Sequence, residues 1–353
     1  MLGDVRHHLR VRVKGRHLRG IWITIHVTSN LQVTLAIGKR RRHRQATAAS
    51  AKPLPCGTDD TPAGRGHTRL VALVSAADLA APLENPDLRI VDVRWYLNRP
   101  GQGRQAYESG HIPGALFLDL DEDLSGEEGP GRHPLPYPLD FRRRLEAVGI
   151  GSEHFVVAYD DTAGTTAARL WWMLDNLGHE RVAVLDGGLR AWIDAGHELS
   201  RDEPKWPPAR MRLKDRWSNV IERDELTARL GAVTLLDARA PERYRGEVEP
   251  IDPAAGHIPT AVNAPTAGNL DRDGRFLLPN NLRRRFEDLS PPDRPLVTSC
   301  GSGTTACHNA LAMRRAGLPD PILYVGSFSD WSRAGLPVAT GDEPGEPGDY
   351  AEG

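Results

Sequence analysis

Pro295-Leu-Val-Thr-Ser-Cys300-Gly-Ser-Gly-Thr-Thr-Ala306 runs from an apolar strand pattern, through a glycine-rich turn, into the helical pattern Cys307 to Arg315. A cysteine at a strand-to-helix turn sits under free backbone N–H groups and the positive end of a helix dipole. Both favour thiolate over thiol, and such settings bring a cysteine pKa from about 8.5 into a range of roughly 3.5–7.5. Gly301 and Gly303 let the backbone curl around the sulfur without a Cβ penalty. The stretch reads as a nucleophile cradle inside an α/β fold.

Outward from this loop, the chain repeats itself. Val91-Asp-Val-Arg94 returns as Leu236-Asp-Ala-Arg239, and Gly110-His-Ile-Pro-Gly-Ala115 as Gly256-His-Ile-Pro-Thr-Ala261. Asp161-Thr-Ala-Gly-Thr-Thr-Ala167 matches Cys300-Gly-Ser-Gly-Thr-Thr-Ala306, and Leu185 to Trp192 matches Tyr324 to Trp331. Matched blocks in the same order indicate a duplicated domain. In each copy short apolar runs alternate with helical patterns, which predicts a mostly parallel sheet flanked by helices. Ligands then sit beyond the carboxyl ends of the strands, where Cys300 falls. At an offset of 139 residues Cys300 aligns with Asp161, so the second copy is expected to react and the first to scaffold, with the site at their seam.

The expected organisation is a basic, disordered leader over residues 1–67, a non-catalytic domain over 68–199, a linker over 200–217, a catalytic domain over 218–342 and a solvated tail over 343–353. The leader carries 13 Lys or Arg against three acids, a composition also found in transit peptides and nucleic-acid arms. Net charge is −2 over 353 residues, so nothing global points to nucleic acid or membrane partners. No apolar run approaches the length of about 20 residues that spans a bilayer. Three scattered cysteines make neither a disulfide framework nor a zinc site, which suggests a reducing, cytoplasmic setting. Cys56 lies in the leader, and Cys307 lies about two helical turns beyond Cys300, facing the core.

With these residues in view, the chain resembles the tandem-domain rhodaneses. The GHIPGA-type blocks and the CGSGxTA loop carry the resemblance over roughly residues 70–340, and the loop is most similar to that of 3-mercaptopyruvate sulfurtransferases. The resemblance implies two rhodanese-like domains and an enzyme that moves sulfane sulfur from 3-mercaptopyruvate or thiosulfate, through a Cys300 persulfide, to a thiol such as thioredoxin or to cyanide. It implies no metal and no organic cofactor. Cys300 is the expected nucleophile and Ser302 its neighbouring donor or proton relay. Gly301, Gly303, Thr304 and Thr305 supply the loop that binds the substrate sulfur. Arg243 matches the family arginine that grips the substrate carboxylate, since a planar guanidinium suits that group.

Two departures stand out. The second family arginine, nine residues on, is replaced by Asp252, with Arg245 as a substitute. His111 matches the family histidine expected to assist the loop serine, but no aspartate precedes it; Gln102, Gln105 and Glu108 stand there instead. Asp92–Arg94 and Asp237–Arg239, kept in both copies, read as structural ion pairs. Trp192 and Trp331 read as core. A phosphatase of the same fold would need an arginine at the position of Ala306. The uncharged loop favours 3-mercaptopyruvate over dianionic thiosulfate, and a non-enzymatic sulfur-carrier module is the remaining alternative.

Overall fold

The computed structural model describes residues 72–291 and 293–348, together with the backbone of three strands nearer the N-terminus. Those three, Leu9–Arg10, Ile21–Val27 and Val33–Lys39, form an antiparallel sheet of their own inside the stretch expected to be an unstructured leader. The rest of residues 1–67, including Cys56, lies outside the described residues.

From Leu73 onward the chain builds two five-stranded sheets with the same strand order. The first runs Leu73–Val74, Val182–Leu185, Phe155–Tyr159, Leu88–Asp92, Ala115–Phe117. The second runs Val220–Ile221, Ile322–Tyr324, Leu296–Ser299, Thr234–Asp237, Ala261–Asn263. Every pairing in both is parallel. The central strands are buried along nearly their whole length, as parallel strands covered on both faces must be. Their β-branched and leucine-rich runs suit that setting.

One apolar cluster spans both sheets. It joins Val91, Leu116 and Val156 of the first to Leu236, Leu323 and Val325 of the second through Leu170, Trp171 and Leu174 and through Ala310, Leu311 and Met313. These residues lie on the paired helices Ala167–Asn176 and Ala306–Arg315, which cross the seam. Separate clusters line the outer faces, around Trp192 in the first domain and Trp331 in the second. Each tryptophan donates its indole N–H to a backbone carbonyl six residues on, Glu198 and Pro337 respectively.

The conserved blocks of the repeat occupy matching places. Asp92 and Arg94 form a buried bidentate pair, and Arg94 also donates to the Gly110 carbonyl at 2.8 Å. Asp237 and Arg239 repeat this, with Arg239 on the Gly256 carbonyl at 2.7 Å. His111 stacks on Tyr107 at 3.9 Å and His257 on Tyr244 at 3.7 Å. Residues expected in a solvated tail are tied down: the Glu343 carbonyl lies 3.1 Å from His257 Nε2, and the Pro344 carbonyl accepts the Thr260 N–H.

Candidate active site

The strand Leu296–Ser299 delivers Cys300 to the carboxyl edge of the second sheet, and the helix Ala306–Arg315 leaves six residues later. Gly303 makes this turn possible. Its φ is 77° and a Cβ there would stand 2.4 Å from the Val325 carbonyl oxygen, so any side chain would break the loop. The following helix, Ser327–Arg333, pins the strand end from the other side. Phe328 N–H and Ser329 N–H donate to the Cys300 and Gly301 carbonyls, and the Cys300 N–H donates to Ser327 Oγ at 3.0 Å.

The equivalent loop of the first domain shows what this geometry holds. Asp92 pairs with Tyr159 as Asp237 pairs with Ser299. The Leu189 N–H donates to the Asp160 carbonyl as the Phe328 N–H donates to that of Cys300. The structural counterpart of Cys300 is therefore Asp160, not Asp161, and the first loop is one residue longer. The Asp160 carboxylate accepts the N–H groups of Thr162, Gly164, Thr166 and Ala167 at 2.8–2.9 Å. An acidic side chain fills the loop of the first copy. Cys300 stands at the matching strand end, at the head of the corresponding loop of the second copy.

Cys300 is 1 % exposed, because a loop from the first domain covers it. Gly131 packs against the Gly326 carbonyl so closely that a Cβ would sit 2.5 Å from it, and the Arg132 N–H donates to Ser329 Oγ. Beyond them His133 Nδ1 lies 2.7 Å from Ser302 Oγ and 3.4 Å from Thr304 Oγ1. His133 Nε2 lies 3.1 Å from Asp121 Oδ1. Asp121 also accepts the Trp95 indole N–H at 2.8 Å, and the Trp95 ring meets His133 edge-on at 5.2 Å. The hydrogen bond from His133 holds the Asp121 carboxyl below its ordinary range, against the opposing effect of burial. An acid–histidine–serine chain thus ends two residues from the cysteine.

His111 does not take that place. Its Nδ1 lies 2.8 Å from the Tyr107 carbonyl and its Nε2 3.3 Å from that of Asp202, so backbone occupies both nitrogens. It holds its loop, as His257 does in the second copy. Arg245 is also elsewhere, paired with Glu247 at 2.7 Å and near Asp342. Thr305 is the N-cap residue of the helix without a side-chain capping bond.

Two guanidiniums stand over Gly301. A Cβ at that glycine would lie 2.9 Å from Arg132 Nη2 and 3.6 Å from Arg243 Nη1. Arg132 pairs with Asp252, and Arg243 bonds Glu249 at 2.7 Å and approaches Asp252 at 3.4 Å. Burial pushes the Asp252 carboxyl up and the Arg132 guanidinium down, each opposed by the other's charge. The Nε atoms of both arginines are buried without a partner. Arg132, His133 and Asp121 escaped the sequence reading. The signal for them was a Gly-Arg-His-Pro run in the connection after strand Ala115–Phe117, at the same carboxyl edge of the sheet.

A cysteine at the head of a glycine-rich loop, an acid–histidine–serine chain and paired guanidiniums are groups suited to covalent transfer on an anionic substrate. Known proteins agree with that class. Residues 75–195 and 222–334 each match the family described as Rhodanese-like domain. A probable 3-mercaptopyruvate sulfurtransferase of Pseudomonas aeruginosa is 48% identical over 279 residues, covering 76% of this chain and 98% of that protein. A putative thiosulfate sulfurtransferase of Mycobacterium tuberculosis is 40% identical over 269 residues, covering 74% and 93%. The solved 3-mercaptopyruvate sulfurtransferase from Leishmania major superposes with a TM-score of 0.67 at 31% identity, covering 77% of this chain and 76% of that one. The chain belongs to the rhodanese family, in the tandem-domain form of the 3-mercaptopyruvate and thiosulfate sulfurtransferases. Among the described residues, no helix is long and apolar enough to cross a membrane.

Proposed function

We propose that this sulfurtransferase takes the thiol sulfur of 3-mercaptopyruvate onto Cys300, where it becomes sulfane sulfur, and passes it to a thiol, with thioredoxin as the protein acceptor and cyanide as an artificial one. The observation that supports this donor is the pair of guanidiniums, Arg132 and Arg243, over Gly301, one residue from the sulfur. They offer a carboxylate the bidentate contact that a planar cation makes best. The Cys300 thiolate attacks the donor sulfur, and the carbon–sulfur bond breaks. Its electron pair passes into the enolate of pyruvate, which then takes up a proton, while Cys300 keeps the transferred sulfur as an anionic persulfide. Ser302, backed by His133 and Asp121, polarises the donor carbonyl and handles that proton. The loop of Gly301, Gly303, Thr304 and Thr305 stabilises the anionic sulfur through backbone N–H groups, as an oxyanion hole would. An acceptor thiolate then attacks the outer sulfur and regenerates Cys300. A reducing compartment, such as the cytoplasm, suits a cycle that passes through free thiols.

Thiosulfate is the second donor, because the same guanidiniums suit a sulfonate oxygen. Gly301, Ser302 and Gly303 add no cation, and Glu249 and Asp252 bring negative charge to the arginines. A dianion is therefore the poorer fit. Steady-state kinetics with each donor against each acceptor test the proposal. A higher kcat/KM is expected for 3-mercaptopyruvate, with ping-pong patterns and one added sulfur on the Cys300 peptide by mass spectrometry. Loss of transfer in Cys300→Ser completes the test; transfer retained in that variant refutes the assignment.

A further inference from the structure

Beneath the cysteine loop lies a positive charge that the scheme above leaves unused. Arg169, on the helix Ala167–Asn176 of the first domain, is 0 % exposed. Its Nη1 donates across the seam to the Gly303 carbonyl at 3.3 Å. Its Nη2 donates to the carbonyls of His133 at 3.0 Å and Leu124 at 3.5 Å. Its Nε has no partner. The other deeply buried arginines of the repeat, Arg94 and Arg239, each grip their own aspartate. Among the described residues no carboxylate forms an ion pair with Arg169. Burial pushes its guanidinium down, and the ionisable groups that oppose this are two thiols, Cys307 and Cys300. Burial pushes Cys307 up to about 12, which keeps it neutral, and its Sγ already donates to the Gly303 carbonyl.

A buried guanidinium without a counter-charge is costly, and the cysteine read above as the nucleophile would supply one as its thiolate. We propose that Arg169 is a positioning residue that steadies the ionised Cys300 sulfur from below and sets the spacing between His133 and the cysteine loop. The inference rests on the reading of Cys300 as nucleophile. Two properties of the contact set carry it. The same planar group binds the carbonyls of His133 and Gly303, which flank the 2.7 Å contact between His133 and Ser302. And a carboxylate on Arg169 would cancel its charge, whereas backbone carbonyls leave that charge to act on a sulfur that stays anionic as thiolate and as persulfide.

The test follows Cys300 alkylation by iodoacetamide against pH, read on the Cys300 peptide, in wild type, Arg169→Met and Arg169→Lys, with thermal melting as a check of folding. In Arg169→Met the inflection is expected to rise by about one pH unit or more. In Arg169→Lys, which keeps charge but loses the fork, it is expected to stay near wild type while kcat falls about tenfold. An unshifted inflection in folded Arg169→Met overturns the inference alone. If Arg169→Met does not fold, wild type is compared with Cys300→Ser at pH 8. Loss of the counter-charge should lower the melting temperature of Cys300→Ser, and an equal or higher one overturns the inference. A wild-type Cys300 that neither alkylates near neutral pH nor accepts sulfur sinks the nucleophile reading, and this inference with it.

Discussion

Asp160 stands in the first sheet where Cys300 stands in the second, and its carboxylate takes four loop N–H groups at 2.8–2.9 Å. The two residues share backbone pairing but differ in chemistry: one is a carboxylate held by the N–H groups of its own loop, the other a thiol at the head of the matching loop. The first-domain loop thus shows how many backbone N–H groups this turn can offer a side chain at that position. It also gives the first domain a stability that depends on one side chain.

Replacing Asp160 by Ala leaves those amides to compete for water inside a half-buried loop. The expected loss is about 3 kcal/mol of unfolding free energy, given roughly 1–3 kcal/mol for an unsatisfied buried group. Urea denaturation measures it. The folded variant should keep its sulfur-transfer rate within about twofold, because the N–H groups that the Asp160 carboxylate accepts all belong to its own loop and helix start.

His133→Ala should lower kcat by about 10²–10³ with the melting temperature little changed, the usual scale for a proton-handling group. His111→Ala should do the reverse, costing stability while kcat per folded molecule stays near wild type. Trp95→Phe removes the indole N–H from Asp121 and keeps the ring. A kcat loss of about three- to tenfold with unchanged KM is expected, since second partners orient first ones. Equal effects of the two histidine variants on kcat would dismiss the distinction between them.

Arg243→Lys and Arg132→Lys keep the charge and lose the planar fork. Each should raise KM for 3-mercaptopyruvate by about 10–100-fold while kcat moves less than about threefold. Steady-state kinetics decide it. A fall in kcat at constant KM would place these arginines in the transition state rather than in donor binding.

His308 is fully buried, with Nε2 3.1 Å from the Ala163 carbonyl across the seam and Nδ1 beside Asn269. Burial lowers its pKa to about 4, against about 6.5 in an unfolded chain. Between those values the unfolded state binds the extra proton. Stability is therefore complete above about pH 6.5 and falls as the pH drops towards 4, by on the order of 3 kcal/mol from this residue. Chemical denaturation at pH 7.5 and pH 4.5 should show that drop. His308→Gln should flatten it, and an undiminished slope in the variant would assign the effect to other groups such as His179, also lowered to about 4 by burial.

Much of this was legible in the amino-acid order. The repeat announced two sheets, and both have the same parallel strand order. The Cys300 loop announced itself because strand, glycines and helix are contiguous. Arg243 was legible too, and it stands over Gly301. What escaped is non-local. His133 reaches Ser302 across 169 residues of chain, and Arg132 meets Asp252 across 120. Neither lies in a periodic element whose facing could be read. The substitution of Asp252 for a family arginine looked like a deficit because the guanidinium that pairs with Asp252 and stands near Gly301, Arg132, comes from the other domain. The shift from Asp161 to Asp160 has a simpler cause: Thr-Thr-Ala fixes the helix side of each loop, and one extra residue slips the alignment on the strand side.

The apolar cluster that crosses the seam has a consequence for how the molecule comes apart. Cutting the chain after Trp217 would leave each half with a wet flank of Leu170, Trp171 and Leu174 or of Ala310, Leu311 and Met313. Neither fragment should then be well behaved alone, and mixing the two should be needed to recover a compact particle. Heating the intact chain should give a single calorimetric transition for both sheets, so the halves live and fail together.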